Sequence, residues 1–561
     1  MFTLQMFTGR YGGQSTWLLG VLLGLVFTVS LNAQHLLLFG RGELTIAHLG
    51  VGVTSADEAH YFSLIKRVSE GNVHLGNAVF KEHRDDPSLS SYGPLVQGML
   101  LRVFHLRLSS AIFFGDLLFP FLAALLLFVT FRKMELPAIE AAAVTIVLLS
   151  AVGWSRSVNP QISVLLFLSG VSLFLLTRSV SSRVFSLLQG LIISGLIFVQ
   201  VLYGEILLVA EACALFSVLF SSLKAGRHQA LIRAAIVCLF SLVAFGSKLL
   251  LTLGTDSVLL SDTYRRLGMI PSHLPSAPLL QMQILLTIAL LCLWSRKQST
   301  KQKATFRNLS FLLLAGLFCL NQSLLLGFDL VFGLYFTLPL VLILRWSWTL
   351  LILSCNLLPT ILRRLTVIVM ALLSSWSMVS VSAEPVSPVI KDDALLLSWL
   401  DQEPKGQVIL APIVLSNLIP LSLSHFVVFN QYAHFQTATD SELADRFLLE
   451  RSLFPIVGEE HDPLFSWVFG LYAGNLDARH RSLCALRSRL SVRDCRTDAR
   501  SFIFHQDILY RLEENHPDRK KLLKQFHVDL ILSEQSLPVD VSTMCPQIQK
   551  IGKFSVYRCG E

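Results

Sequence analysis

The stretch WLLGVLLGLVFTVSLNAQHLLLF (17–39) holds no Asp, Glu, Lys or Arg. It is long enough to cross a hydrocarbon core of about 30 Å as a helix, which needs about 20 apolar residues. It exceeds a signal-peptide core and lacks an A-x-A cleavage site, so it reads as an uncleaved signal anchor. Similar runs recur as far as Ala383 and then stop. The composition agrees: 53% of the 561 residues are hydrophobic and 15% charged, against about 25% charged in an ordinary soluble domain, and mean hydropathy is +0.60. The expected fold is a polytopic α-helical membrane protein with about eleven transmembrane helices and a C-terminal soluble α/β domain.

The candidate spans are roughly 17–39, 110–131, 137–153, 161–177, 185–202, 205–222, 234–254, 279–295, 309–326, 328–344 and 365–383. With the N-terminus inside, the inward loops collect most of the Lys and Arg between Arg132 and Arg364, whereas the short outward loops hold Arg156, Arg265 and Arg266. That asymmetry is the positive-inside pattern. The net charge of +8 is therefore read as topology, with no basic, aromatic-interleaved stripe to suggest nucleic acid. The segment Trp346–Leu362 is read as an interfacial or re-entrant helix, because Pro359 interrupts it and its two tryptophans suit a headgroup layer. The chain then divides into a membrane domain (1–384), with a large first outer loop at about 40–109, and an outward-facing domain (385–561).

In the tail, QVILAP (407–412), HFVVFNQ (425–431), VDLILSE (528–534) and KFSVYR (553–558) read as strands. Amphipathic helices are expected at ELADRFLLERSLF (442–454), ARHRSLCALRSRL (478–490) and HQDILYRLEENH (505–516). Cys484, Cys495, Cys545 and Cys559 permit one or two disulfides in an oxidising compartment, with the pairing open. Metal-ligand spacing such as C-x-x-C is absent, and no cofactor is implied.

Chemistry is sought in the first outer loop, TSADEAHYFSLIKRVSEGNVHLGNAVFKEHRDDPSLSSYGPLVQGMLLRVFH (54–105). Asp57, Glu58, Tyr61, Ile65 and Val68 follow near-helical spacing, giving a short helix expected at the outer membrane surface. Ser55 and Glu58 fit a capping box, so the acids also have a reading as first-turn carboxylates that suit the helix dipole. Within the membrane, Glu205, Glu211, Lys248 and Asp329 are costly and are expected to face a cavity or to pair with one another.

These residues resemble the GT-C superfamily of glycosyltransferases that use polyprenyl-phosphate sugars, among them protein O-mannosyltransferases, aminoarabinose transferases of lipid A and oligosaccharyltransferases. The pattern comprises Asp57-Glu58 after the first span, Tyr61, the Glu70-Gly71 turn, Gly76-Asn77, Glu82-His83, and Tyr92 to Pro94 opening a helix toward the second span. SVNPQIS (157–163) and LYFTLPL (334–340) are further echoes. Architecture matches along most of the chain, the motifs along about 60 residues of it.

The resemblance implies a polyprenyl-phosphate sugar donor, a lipid, glycan or protein acceptor, and a site bathed in membrane lipids on the outer face of a bacterial inner membrane. Asp57 would be the catalytic carboxylate, supported by Glu58. Tyr61, Glu82, His83, Arg265, Arg266 and Tyr335 would bind substrate, with Arg156, Lys66 and Arg67 as further cations for the phosphate. The chain departs from the family twice. WSRSVNPQ (154–161) lacks a second acid, for which Glu82, Asp85 or Asp86 could substitute, and Gly333-Leu334 rather than an Arg precede Tyr335. The competing reading is a non-catalytic or transport protein that binds or moves a lipid-linked glycan.

Overall fold

The computed structural model describes residues 14–41, 56–72, 75–86, 92–152, 154, 161–177, 183–220, 227–252, 257–266, 269–271, 277–296, 298–322, 324, 328–330, 333–354, 359–382, 391–433, 436–455 and 518–560. Up to Ser382 the described residues are mostly helical. Among the described residues six helices are long and apolar enough to cross a membrane: Leu108–Lys133, Val201–Leu219, Arg227–Leu250, Pro278–Ser295, Gln302–Leu320 and Thr337–Ser354. Shorter apolar helices, Trp17–Leu31, Ala138–Leu149, Ser163–Leu176 and Arg183–Val199, pack among them.

Where these helices touch, glycines let them approach. A Cβ on Gly20 would stand 2.8 Å from the Phe128 ring, and one on Gly170 would lie 2.4 Å from Leu207. Lipid tails are as apolar as leucine, so close packing rather than water exclusion must hold such helices together.

The segment Trp346–Leu362 is not a separate interfacial helix. Residues 346–354 complete the helix Gly333–Ser354, and a new helix runs from Thr360 to Ser382. Pro359 stands just before that second helix, where a proline is tolerated because a first-turn N–H has no partner to lose. The Trp346 ring faces protein: it is buried 4.9 Å from that of Phe131. The ion pairing also differs from expectation. Glu211 pairs with Arg233, at 2.6 Å from Nη2, rather than with Lys248, whose Nζ lies 3.5 Å from the Ile197 carbonyl.

The C-terminal part is α/β. Its five-stranded sheet has the order β4-β3-β5-β7-β6, from β3 (Val408–Leu410), β4 (Phe426–Val427), β5 (Leu530–Ser533), β6 (Gln547–Ile551) and β7 (Phe554–Arg558). β3 runs parallel to β4 and β5, and the pairs β5–β7 and β6–β7 are antiparallel. The four strands read from the sequence are all present, whereas the solvent-exposed edge strand β6, QIQKI, carried no hydrophobic signal. Helix Ile413–Ser422, though apolar, packs Leu415 and Ile419 into the core of this part and turns Leu418 and Leu421 toward the helix Ala56–Ser69, and helix Asp440–Leu453 lies where an amphipathic helix was expected. The other two expected helices, 478–490 and 505–516, lie outside the described residues, as do Cys484, Cys495 and the boundary at 384/385. Cys545 and Cys559 form a disulfide.

Two short strands, β1 (Met269–Pro271) and β2 (Phe328–Leu330), join the ends of neighbouring membrane-length helices as an antiparallel pair.

Candidate functional site

Asp57 and Glu58 lie in the first turn of the helix Ala56–Ser69; their side chains are outside the described residues, as are those of Arg265 and Tyr335. The short helix expected from the near-helical spacing is present, and it packs inside the protein. Phe62, Ser63, Leu64, Ile65 and Val68 are all buried, because neighbours cover the helix on more than one side. Phe62 and Ile65 share a cluster with Ile112 and Phe113 of the helix Leu108–Lys133 and with Leu418, Leu421 and Tyr432 of the C-terminal part. Leu64 and Val68 meet Leu75, Ala78 and Tyr92.

The helix Gly93–Phe104 supplies the exposed apolar face instead, through Val96, Met99, Leu100, Val103 and Phe104. It can press against the Asp57 helix only because residue 98 is glycine: a Cβ there would lie 2.4 Å from Cβ of Val68 and 2.8 Å from the Ile65 carbonyl.

The polar residues of the Asp57 helix are drawn into contacts that fix its place. The Gln436 amide of the C-terminal part lies 3.0 Å from His60 Nδ1, and burial holds the His60 imidazole down to a pKa of about 4, so it is neutral at physiological pH. Burial likewise pushes Lys66 down to about 8, against the pull of Glu70 at 3.8 Å. The Arg67 guanidinium stacks over Phe426 at 4.9 Å, and Glu70 accepts a hydrogen bond from Ser424 at 2.6 Å. Tyr61 is half-buried near Tyr203, whose hydroxyl is hydrogen-bonded to Ser163.

Beneath this helix lies a polar layer that the sequence reading missed. Asp116 sits inside the helix Leu108–Lys133 with 4% of its surface exposed. Gln161 Nε2 donates to its carboxylate at 2.8 Å and to the Trp154 carbonyl at 2.6 Å. Asn32, at the break between helices Gln14–Leu31 and Ala33–Gly40, donates to the Asp116 backbone carbonyl at 2.9 Å, and His35 Nδ1 is 4.0 Å from the carboxylate. The signal was available: Asp116 is the sole charged residue between Arg107 and Arg132. Gln161 belongs to the SVNPQIS segment, so the stretch that lacks an acid of its own reaches one on another helix.

Glu82 and His83 come together with the C-terminal part, at its helix Asp440–Leu453. Asn77 accepts hydrogen bonds from the amides of Val79 and Phe80, both at 2.9 Å, and the Val79 carbonyl accepts from Val427 N at 2.9 Å, so the loop covers the β4 edge of the sheet. The next turn places His83 between two carboxylates, Asp86 at 2.7 Å and Glu442 at 2.8 Å. Burial opposes charging His83, but the bonds and charges of Glu442 and Asp86 outweigh it and raise its pKa. Arg446, fully buried, donates to Glu82 at 2.8 Å, Glu442 at 2.9 Å and the Val428 carbonyl at 3.2 Å. Its guanidinium lies 4.2 Å from the ring centroids of both Phe80 and Phe526. A cavity of about 430 Å³ opens here, lined by Glu82, His83, Thr439, Ser441, Glu442, Asp445, Arg446, Gln525 and Phe526.

Arg266 is buried and clamps the same helix at its start. It binds the Asp440 carboxylate and the carbonyls of Gln436 and Ala438 at 3.0 and 2.7 Å, while Asp262 accepts from the Asp440 amide at 3.0 Å. The first loop, the segment 257–266 and the C-terminal part therefore meet on one side of the helices. Among the described residues no group of His, Cys, Asp and Glu is arranged to hold a metal ion. Comparison with known proteins places no relative beside this chain: no family model matches it, and no curated protein does.

Proposed function

We propose that this chain is a membrane glycosyltransferase that moves a sugar from a polyprenyl-phosphate donor to a lipid, glycan or protein acceptor on the extracytoplasmic side, with eleven membrane-crossing helices. The observation that carries the reading is the place of the helix Ala56–Ser69. It is held between Ile112 and Phe113 of an apolar, membrane-length helix and Leu418, Leu421 and Tyr432 of the C-terminal part. Its first turn, with Asp57 and Glu58, thus belongs to the layer where a lipid-embedded donor and an aqueous acceptor can meet.

Asp57 acts as the base. It takes the proton from the acceptor hydroxyl or amine as that atom attacks the sugar C1, and the C1–O bond pair leaves on the lipid phosphate. Glu58 orients the pair. The developing phosphate charge requires a cationic donor, and Arg266 is already committed to Asp440 and two carbonyls. Arg266 instead holds the C-terminal part against the helices, and Glu82 and His83 close the acceptor side through Glu442 and Arg446. With most Lys and Arg between Arg132 and Arg364 on the opposite side, the C-terminal part faces out of a bacterial inner membrane.

The test is Asp57→Asn in a deletion strain and in purified protein. A general base contributes about 10²- to 10⁴-fold, so transfer should fall by that factor with the protein folded and lipid-linked sugar accumulating. Full complementation by the Asn variant would return the chain to a non-catalytic glycan-binding or transport role. Impermeant labelling of cysteines placed at Ser55 and Ser536 checks the sidedness.

A further inference from the structure

Helix Arg227–Thr252 carries its first cations, Arg227 and Arg233, near one end and then no charged residue until Lys248. A lysine inside an apolar helix ordinarily faces a counter-charge or a polar cavity. Glu211, the carboxylate that could neutralise it, is held by two nitrogens of Arg233, and Glu205 is hydrogen-bonded to the Cys319 thiol. Among the described residues no carboxylate comes within ion-pair distance of Lys248. Its recorded partner is the Ile197 carbonyl, at a long 3.5 Å.

The position of this amine matters. Ile197 precedes Phe198, whose carbonyl accepts from the Tyr92 amide at 3.0 Å, and Phe198 packs on the cluster of Leu64, Val68 and Tyr92 beside the Asp57 helix. The end of helix Arg227–Thr252 that bears Lys248 leads to the segment in which Arg266 grips Asp440. Lys248 therefore lies on the same side as the first loop and the C-terminal part. Around it Leu242, Phe245, Leu249 and Leu250 are exposed apolar side chains, the kind a lipid tail covers. Its Nζ rests against the neighbouring helix Arg183–Val199 near that helix's end.

We propose that Lys248 binds the phosphate of a lipid that enters between these helices from the bilayer. On the glycosyltransferase reading, on which this identification rests, the lipid is the polyprenyl-phosphate donor and Lys248 is a docking cation for its phosphate. The amine exchanges its weak carbonyl contact for a charged one while the prenyl chain lies along the exposed leucines.

Full-length protein in neutral phosphatidylcholine nanodiscs is titrated with a polyprenyl monophosphate and, separately, with phosphatidylglycerol. Lys248→Gln should weaken polyprenyl monophosphate binding by about tenfold or more, the usual worth of a hydrogen bond to a charged group, and Lys248→Arg should keep it within about threefold. Equal binding by the Gln variant overturns the proposal. Equal loss of both lipids assigns a general anionic-lipid contact and overturns the donor assignment.

Lys248→Met separates binding from architecture: it removes an uncompensated charge, so thermal stability should hold or rise while binding is lost. A fall in stability together with binding makes the residue structural and overturns the site. Asp57→Asn should bind polyprenyl monophosphate like the parent. If that variant keeps transfer while Lys248→Gln loses binding, the catalytic reading fails and the lipid-phosphate site stands.

Discussion

The helical bundle and the seam between its first loop and the C-terminal part combine apolar packing and charge in different proportions. The bundle interior is a continuous apolar cluster from Phe27 to Ala371, with a few polar pins such as Asp116–Gln161 and Arg233–Glu211. The seam adds to its apolar contacts, Phe62 and Ile65 with Leu418, Leu421 and Tyr432, and Val79 and Phe80 in the core of the C-terminal part, a run of charged bonds: Arg446 to Glu82 and Glu442, His83 to Glu442 and Asp86, Arg266 to Asp440. Apolar packing cannot specify register in a solvent as apolar as itself, so the bundle depends on shape, with glycines opposite bulky residues. Beside water, directional charged bonds can set the seam in one arrangement, at the cost of desolvating them. The seam, where charged bonds cluster, is the part most readily loosened by one charge or by pH.

The largest effect is expected at Arg446. Arg446→Met leaves Glu82 and Glu442 facing the rings of Phe80 and Phe526 without their cation, and losing one partner of a buried pair costs about 3 kcal/mol. Thermal unfolding should show the loss, with hydrogen exchange rising in residues 77–86 while the bundle stays protected. Equal loosening of both regions would break the comparison. Next is Gly98→Leu, whose side chain has no room beside Val68 and the Ile65 carbonyl. Overpacking of this kind costs about 2 kcal/mol, and the displaced Asp57 helix should lose transfer even where the protein still folds. In the bundle, Asp116→Ala removes the acceptor for Gln161 and should cost about 1 kcal/mol, with no change in exchange at 77–86.

The smallest and most selective effect is that of pH. His83 has its pKa raised above the ordinary 6.5, so its contribution is full below 6.5 and is lost as pH rises through the raised value. The Glu442 pKa, though burial opposes it, is lowered by the His83 and Arg446 contacts, so that contribution holds above 4.5 and fades as pH falls through the lowered value. The protection factor at 77–86, with the intrinsic pH dependence of amide exchange divided out, should therefore be highest between about pH 4.5 and 6.5 and lower at pH 8.5, and a His83→Gln variant should flatten that alkaline fall.

Several elements could be read directly from the chain. Apolar runs marked the helices, and the strands at 408–410, 426–427, 530–533 and 554–558 announced themselves by β-branched and aromatic residues. The readings that failed depended on neighbours. The helix Ala56–Ser69 has the spacing of a surface helix, and it is buried because the helices Gly93–Phe104 and Leu108–Lys133, residues 75–78 and the C-terminal part all pack against it. Trp346 looks like an interfacial anchor until Phe131 is seen beside it. Glu82 and His83 stood out in the sequence, but their partners Glu442 and Arg446 lie some 360 positions away, beyond the reach of any local pattern. Asp116 was visible as an isolated charge and was overlooked for Glu205, Glu211 and Lys248.

What the sequence by itself determined is therefore the solvent of each part: which segments are apolar enough for lipid, and which alternate as strands, because these follow from composition and from periods of 3.6 and 2 along one chain. Only the tertiary structure decided which charges neutralise one another. Arg233 rather than Lys248 meets Glu211, Arg266 is taken by Asp440, and Lys248 is left facing a carbonyl. Coulomb energy depends on distance in space, and the spacing of two residues along the chain says nothing of that distance once the chain has crossed between helices.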